Sequence, residues 1–253
     1  MPHQAFENAR DSGIAALGGV ITLISDVLVG CYERAGYDFV GFDWQHSSIG
    51  EDEAAAIVRR MSNSPLAALV RLAEGSAASI SRALDAGGVI VPLVNTTEQA
   101  ADAVAACRYP GRGVRSFGPM RPELPLDTAA LELRTSCFVM VETLEGLEDV
   151  EEICAVDGVD GLVVGPGDLS ISLGLNQLAG FFTDQLFEPL GRIRAACERH
   201  RILLGIFALD ATTARTWVEQ GYRLVMLGMD HMVIGRAFER ELAVVRGPQP
   251  ATK

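Results

Sequence analysis

Eight short runs of apolar, largely β-branched residues recur along this chain, each followed by a longer stretch with helical period. The runs are Gly19–Ile24, Asp38–Asp43, Leu66–Leu72, Val89–Val94, Cys137–Thr143, Gly161–Gly165, Ile202–Phe207 and Arg223–Gly228. None alternates apolar with polar residues, which is the pattern of a parallel sheet buried on both faces. The segments between them predict the covering helices: Ser25–Ala35, Glu51–Ser62, Ser76–Ala86, Thr97–Arg108, Leu147–Val156, Thr183–Arg199, Thr212–Gln220 and His231–Arg246. Eight such units in 253 residues specify an α/β fold, a (β/α)8 TIM barrel. It is expected as one domain over residues 1–253, with a flexible tail from about Gly247. The rival, an open doubly wound sheet, carries a glycine-rich turn after its first strand, and Ser25-Asp26 stands there instead.

Composition removes several function classes. With 33 acids against 21 bases the net charge is −12, so no basic face is expected for nucleic acid or an anionic membrane. Met1–Arg10 is polar and lacks the apolar run of a signal peptide. No stretch of ~20 apolar residues is present to span a bilayer. The five cysteines are scattered without zinc-type spacing, as expected of reduced thiols in the cytoplasm. The single lysine is Lys253, which argues against a buried Schiff-base lysine and a Walker-type phosphate loop.

In a barrel of this kind the chemistry sits at the carboxyl ends of the strands. The second run delivers Asp43 and His46 there, the third Arg71, the fourth Asn95, the fifth Glu142, the sixth Asp168 and the eighth Asp230. Glu142 and Asp168 suit a hard divalent cation, which takes carboxylate oxygens and leaves positions for substrate. Each also has a plain structural reading, as a helix cap or an ion-paired acid. His46 is the natural general base, with Asp43 placed to fix its tautomer; a structural histidine is the alternative. Arg71, alone among Leu, Ala and Val, needs an anion: a substrate oxygen, or a buried acid such as Asp43 or Glu142. The irregular stretch Tyr109–Asp127 has the length of a functional loop, and its Arg112, Arg115 and Arg121 are candidates for a second anion or for the solvated surface. Ser47 and Ser48 lack the Gly-x-Ser-x-Gly elbow of a serine hydrolase.

The stretches GYDFVGFDWQHSS, VRLAEGS, LDAGGVIVPLVNTTEQA, RYPGRGVRSFGP, VETLEGLEDVEEICAVDGVDGLVVGPGDLSISLG and GMDHMVIGRA follow the order typical of one family. They resemble the metal-dependent class II pyruvate aldolases of the 4-hydroxy-2-oxoheptanedioate aldolase type, related to the citrate lyase β-subunit, from about Gly18 to Ala243. The resemblance implies a phosphoenolpyruvate/pyruvate-type barrel whose last helix is exchanged between subunits of a hexamer, a dimer of trimers. It implies Mg²⁺, Mn²⁺ or Co²⁺ on Glu142 and Asp168, His46 assisted by Asp43 as base, and Arg71 on the enolate oxygen. It further implies Asp85 reaching a neighbouring subunit's site, and a pyruvate pocket lined by Ser116, Gly165, Pro166 and Gly167. The RSFGP loop is similar to that of members using hydroxypyruvate or pyruvate with simple aldehydes. Two departures stand out: Gln45 before the histidine, where an acid is commoner, and Leu72-Ala73 after Arg71, where a proline-rich turn is common.

The activity so implied is reversible aldol addition or cleavage between pyruvate or hydroxypyruvate and an aldehyde. A citrate-synthase-like acyl transferase, another carbon–carbon lyase, or a non-catalytic ligand-binding barrel are the alternatives. An acyl transferase would need a basic site for a long thioester, for which only RYPGRGVR offers a cluster.

Overall fold

Each of the eight runs forms a strand of one closed sheet. The computed structural model describes residues 4–23, 25–119, 121–175 and 184–247. Its strands are β1 (Ala16–Ile21), β2 (Phe39–Asp43), β3 (Ala67–Arg71), β4 (Gly87–Val91), β5 (Ser136–Val141), β6 (Gly161–Val164), β7 (Leu203–Ala208) and β8 (Leu224–Met229). Consecutive strands pair in parallel and β8 returns to β1, so the sheet is a barrel. The expected tail beyond Gly247 and the expected helix start at Thr183 lie outside the described residues.

Period two along each strand sorts the side chains. Phe39, Leu69, Ile90, Phe138, Met140, Val163, Leu203, Leu224 and Met226 form the barrel interior. Their alternates, among them Val40, Phe42, Val70, Val139, Leu162 and Val225, pack against the helices. Both sets are buried, which explains why no polar alternation marks the strands. A helix that the apolar runs gave no sign of, Gln4–Ser12, closes the amino end. Its Phe6 packs edge-on against Phe39 and Phe138, with centroids 5.5 and 5.6 Å apart. Gly18 makes room for this plug, since a Cβ there would run into the Phe39 ring.

The departures from expectation have local causes. β1 starts three residues before the expected Gly19 and ends at Ile21. It leaves the ladder because the Thr22 N–H donates to the Asp230 carboxylate at 2.9 Å. The expected helix Leu147–Val156 is two short ones, Leu144–Glu148 and Val150–Cys154, breaking at Asp149. The loop over Tyr109–Asp127 emerges from the carboxyl end of helix Thr97–Cys107, so it lies at the amino end of the barrel. There it folds back on that helix, Val114 N–H donating to Ala105 O and Arg115 N–H to Arg108 O, both at 2.8 Å. Its arginines anchor the loop to its surroundings. Arg115 is buried, bonded to Thr135 Oγ1 at 3.0 Å and stacked over Tyr109 at 4.8 Å. Arg112 bonds Glu132, and Arg121 bonds Glu123 and the Asp85 carbonyl. Four of the five cysteines are buried and none is bridged. Among the described residues no helix is long and apolar enough to cross a membrane.

Candidate active site

Carrying the inward phase of each strand to its carboxyl end puts Asp43, Arg71, Glu142 and Phe207 on the interior side of one rim. Asp43 and Arg71 are direct partners in the β2–β3 register. A pocket of about 150 Å³ opens there, lined by His46, Arg71, Glu142, Gly165-Pro166-Gly167 and Asp168 on one side. Phe207, Ala208, Leu209, Met229 and Met232 form the apolar remainder. Seven of the residues singled out from the sequence therefore share one cavity.

Asp43 has a different role from the one expected. Its Oδ1 accepts from Arg71 Nε at 2.9 Å, its Oδ2 accepts from Arg71 Nη2, and Oδ1 also accepts the backbone N–H groups of Gln45 and His46 at 3.0 and 3.1 Å. The pair is buried, with side-chain exposures of 1% for Asp43 and 8% for Arg71. Asp43 thus holds the arginine and the turn after β2, not the His46 ring, which has no hydrogen-bond partner among the described residues. Of the anions expected for Arg71, the buried acid Asp43 is the one it meets in the structure. Two of the three guanidinium nitrogens face Asp43 while the group lines the cavity, stacked 4.9 Å from the Phe207 centroid. Gln45 does not restore a histidine network: its Oε1 is buried without a partner.

Neither acid is a helix cap. Thr143 caps the helix after Glu142, its side chain accepting the Gly146 N–H. The helix after β6, Pro166–Ser172, starts after Gly165, with Asp168 inside its first turn. Glu142 is 2% exposed and accepts the Leu93 N–H at 2.9 Å. Burial pushes its carboxyl up to about 7; the Leu93 N–H and Arg71 oppose the shift, and the charge of Asp168 adds to it. Glu142 and Asp168 thus share a rim and have no ion-pair partner among the described residues, since Arg71 is bonded to Asp43. That donor set fits a hard divalent cation. No cluster of three or more His, Cys, Asp and Glu occurs among the described residues, so such a cation would complete its shell with water or substrate.

Besides Asp43, which sits behind Arg71, two more of the expected catalytic and substrate-binding residues do not line this pocket. Asp85 lies in the turn before β4 and Ser116 in the amino-end loop; both line a separate groove of about 430 Å³ beside helices Glu51–Arg60 and Ala77–Ala83. Within one chain neither touches the carboxyl rim, because the segments that carry them precede the strands they lead into. Asn95 and Asp230 are structural: Asn95 accepts from Thr143, and Asp230 ties the end of β1 to the end of β8 through Thr22 and Leu23. Phe207 escaped attention because it is apolar; its place in the strand phase was the available signal. Leu93 acts through its main chain and left no side-chain signal.

Fold and pocket together define a class: parallel (β/α)8 barrels with a small polar pocket at the carboxyl rim, where enzymes of this fold carry their active sites. The comparisons go further. A family model described as HpcH/HpaI aldolase/citrate lyase matches residues 23–237, and the chain belongs to that family. A hydroxypyruvate/pyruvate aldolase of Rhizorhabdus wittichii is 31% identical over 241 residues, 93% of this chain and 96% of that protein. A 5-keto-4-deoxy-D-glucarate aldolase of Klebsiella pneumoniae is 30% identical over 251 residues, 95% of this chain and 97% of the relative. The crystal structure of a family member from Burkholderia cenocepacia superposes with a TM-score of 0.87 at 29% identity, covering 97% of this chain and all of that one. The protein is accordingly an aldolase-type carbon–carbon lyase.

Proposed function

We propose that the carboxyl-rim pocket catalyses reversible aldol chemistry between a 2-oxo acid, pyruvate or hydroxypyruvate, and an aldehyde, with a divalent cation on Glu142 and Asp168. The observation that carries this reading is the pair of acids that have no ion-pair partner among the described residues, beside an arginine already bonded to Asp43. When bound, a dication polarises the 2-oxo group and lowers the cost of removing the neighbouring proton. The chain's own residues do the rest. Asp43 and the Phe207 ring hold the Arg71 guanidinium, which donates to the substrate oxygen where negative charge develops. His46, exposed at the mouth with a free ring, takes up and returns the proton. Gly165-Pro166-Gly167 admit the carboxylate close to the backbone. Phe207, Leu209, Met229 and Met232 exclude water and favour an uncharged aldehyde.

The assembly belongs to the same reading. Helix Asp230–Arg246 buries only Asp230 of its 17 residues, and Phe238, Val244 and Val245 are 70–83% exposed. Such a face suits exchange between copies in a hexamer, in which Asp85 and Ser116 of a neighbour would meet the rim. The acyl-transfer alternative is less well supported, since RYPGRGVR is remote from the pocket within the chain. Buried, unbridged cysteines agree with a cytoplasmic setting.

The test is metal-dependent turnover. Chelation should abolish cleavage and deuterium exchange at the methyl group of pyruvate, and Mn²⁺ or Mg²⁺ should restore both. Asp168→Ala should lower kcat/KM at least ~100-fold with the fold intact. Full exchange in stringently metal-free enzyme would end the proposal.

A further inference from the structure

The chain after β4 runs Pro92-Leu93-Val94, and Leu93 has φ +54°. Among the described residues only Arg201 shares this left-handed backbone without being glycine. An L side chain disfavours it, and burial of the leucine does not account for it, because Leu93 is 48% exposed.

Its N–H does account for it. In a regular strand successive N–H groups point to opposite edges, so two neighbours cannot both serve the same flanking strand. Here they do. Val94 N–H donates to Met140 O at 3.0 Å, and Leu93 N–H donates to Glu142 Oε1 at 2.9 Å. Both acceptors belong to β5 or its immediate end, and the left-handed turn at Leu93 is what brings the second donor round. With Oε1 so occupied, Oε2 is the oxygen packed against Gly165, where a Cβ would overlap it. Gly165 leads into the helix that carries Asp168.

We propose that Leu93 is a positioning residue. Its left-handed backbone locks the Glu142 carboxylate so that Oε2 is presented toward the Asp168 side of the rim, where the cation would bind. The proposal rests on the metal reading above, and deepens it by assigning the orientation of one ligand to a main-chain turn.

Mn²⁺ binding to the full-length metal-free protein, followed by electron paramagnetic resonance and calorimetry, tests it independently of turnover. Leu93→Gly and Leu93→Asn adopt the left-handed backbone readily, and Leu93→Ala strips the side chain with little change in backbone preference. Leu93→Val and Leu93→Ile resist that backbone. The first three should bind Mn²⁺ within about twofold of wild type, and the β-branched pair about tenfold more weakly, as expected for a displaced supporting hydrogen bond. Circular dichroism should show all five folded. Wild-type affinity in the folded Val or Ile variant would overturn the proposal. So would loss of Mn²⁺ in the Gly or Asn variant, since the leucine side chain would then be what matters; that arm decides even where a β-branched variant does not fold. If wild type binds no Mn²⁺, or Asp168→Ala binds it equally well, the metal reading itself fails and takes this one with it.

Discussion

At the scale of single residues the pocket is governed by two buried acids with opposite circumstances. Asp43 has a cation and four donors; Glu142 has one backbone donor and a like-charged neighbour. Removing Asp43 leaves a buried guanidinium unpaired, so Asp43→Ala should cost about 3–5 kcal/mol of stability, while the double variant Asp43→Ala/Arg71→Met should cost less than the sum of the singles. Denaturant melts of the four proteins measure that coupling, and simple additivity would refute it. Glu142 gives a pH signature. Its folded-state pKa, about 7, lies above the ordinary 4.5, so the folded chain binds this proton more tightly than the unfolded one. The resulting stabilisation is complete below about pH 4.5 and is lost as pH rises through 7. Metal-free protein should therefore lose up to ~3 kcal/mol from this group between pH 5 and 8, and Glu142→Gln should flatten that slope. Parallel slopes in EDTA for the two proteins would contradict it. Asp43 and Glu142 were both visible in the sequence as acids at strand ends. Their different duties were not, because the partner of each comes from another strand.

Elements divide by whether they can satisfy themselves locally. The eight strands were recognisable because a run buried on both faces must be apolar throughout, and the register then followed from closure. The plug helix Gln4–Ser12 was not, since its apolar contribution is essentially Phe6 and Ala9 on an otherwise polar segment. Helix Asp230–Arg246 shows the opposite case: strongly helical in sequence, yet with almost nothing to pack on in its own chain. If this face is exchanged between copies as proposed, Phe238→Asp together with Leu242→Asp should lower the mass seen in sedimentation or mass photometry, with the circular dichroism of the barrel kept. An unchanged oligomer would show that this face is not the one exchanged.

For the whole molecule, the two ends of the barrel have separate duties. The carboxyl end gathers the chemistry; the amino end carries Phe6, the folded-back loop and its buried arginine as a structural closure. The loop over Tyr109–Asp127 looked functional by length, but chain direction places it at the end opposite the pocket of its own chain. By itself the sequence determined the number of strands and the set of polar residues at their carboxyl ends, because burial on both faces keeps such runs apolar throughout, while the Ser25-Asp26 turn favoured the barrel over an open sheet. Tertiary structure alone decided which acid pairs with Arg71, which acid is buried without an arginine bonded to it, and that the Leu93 main chain bonds to that one. Those outcomes depend on distances between strands far apart in sequence, which no local pattern encodes.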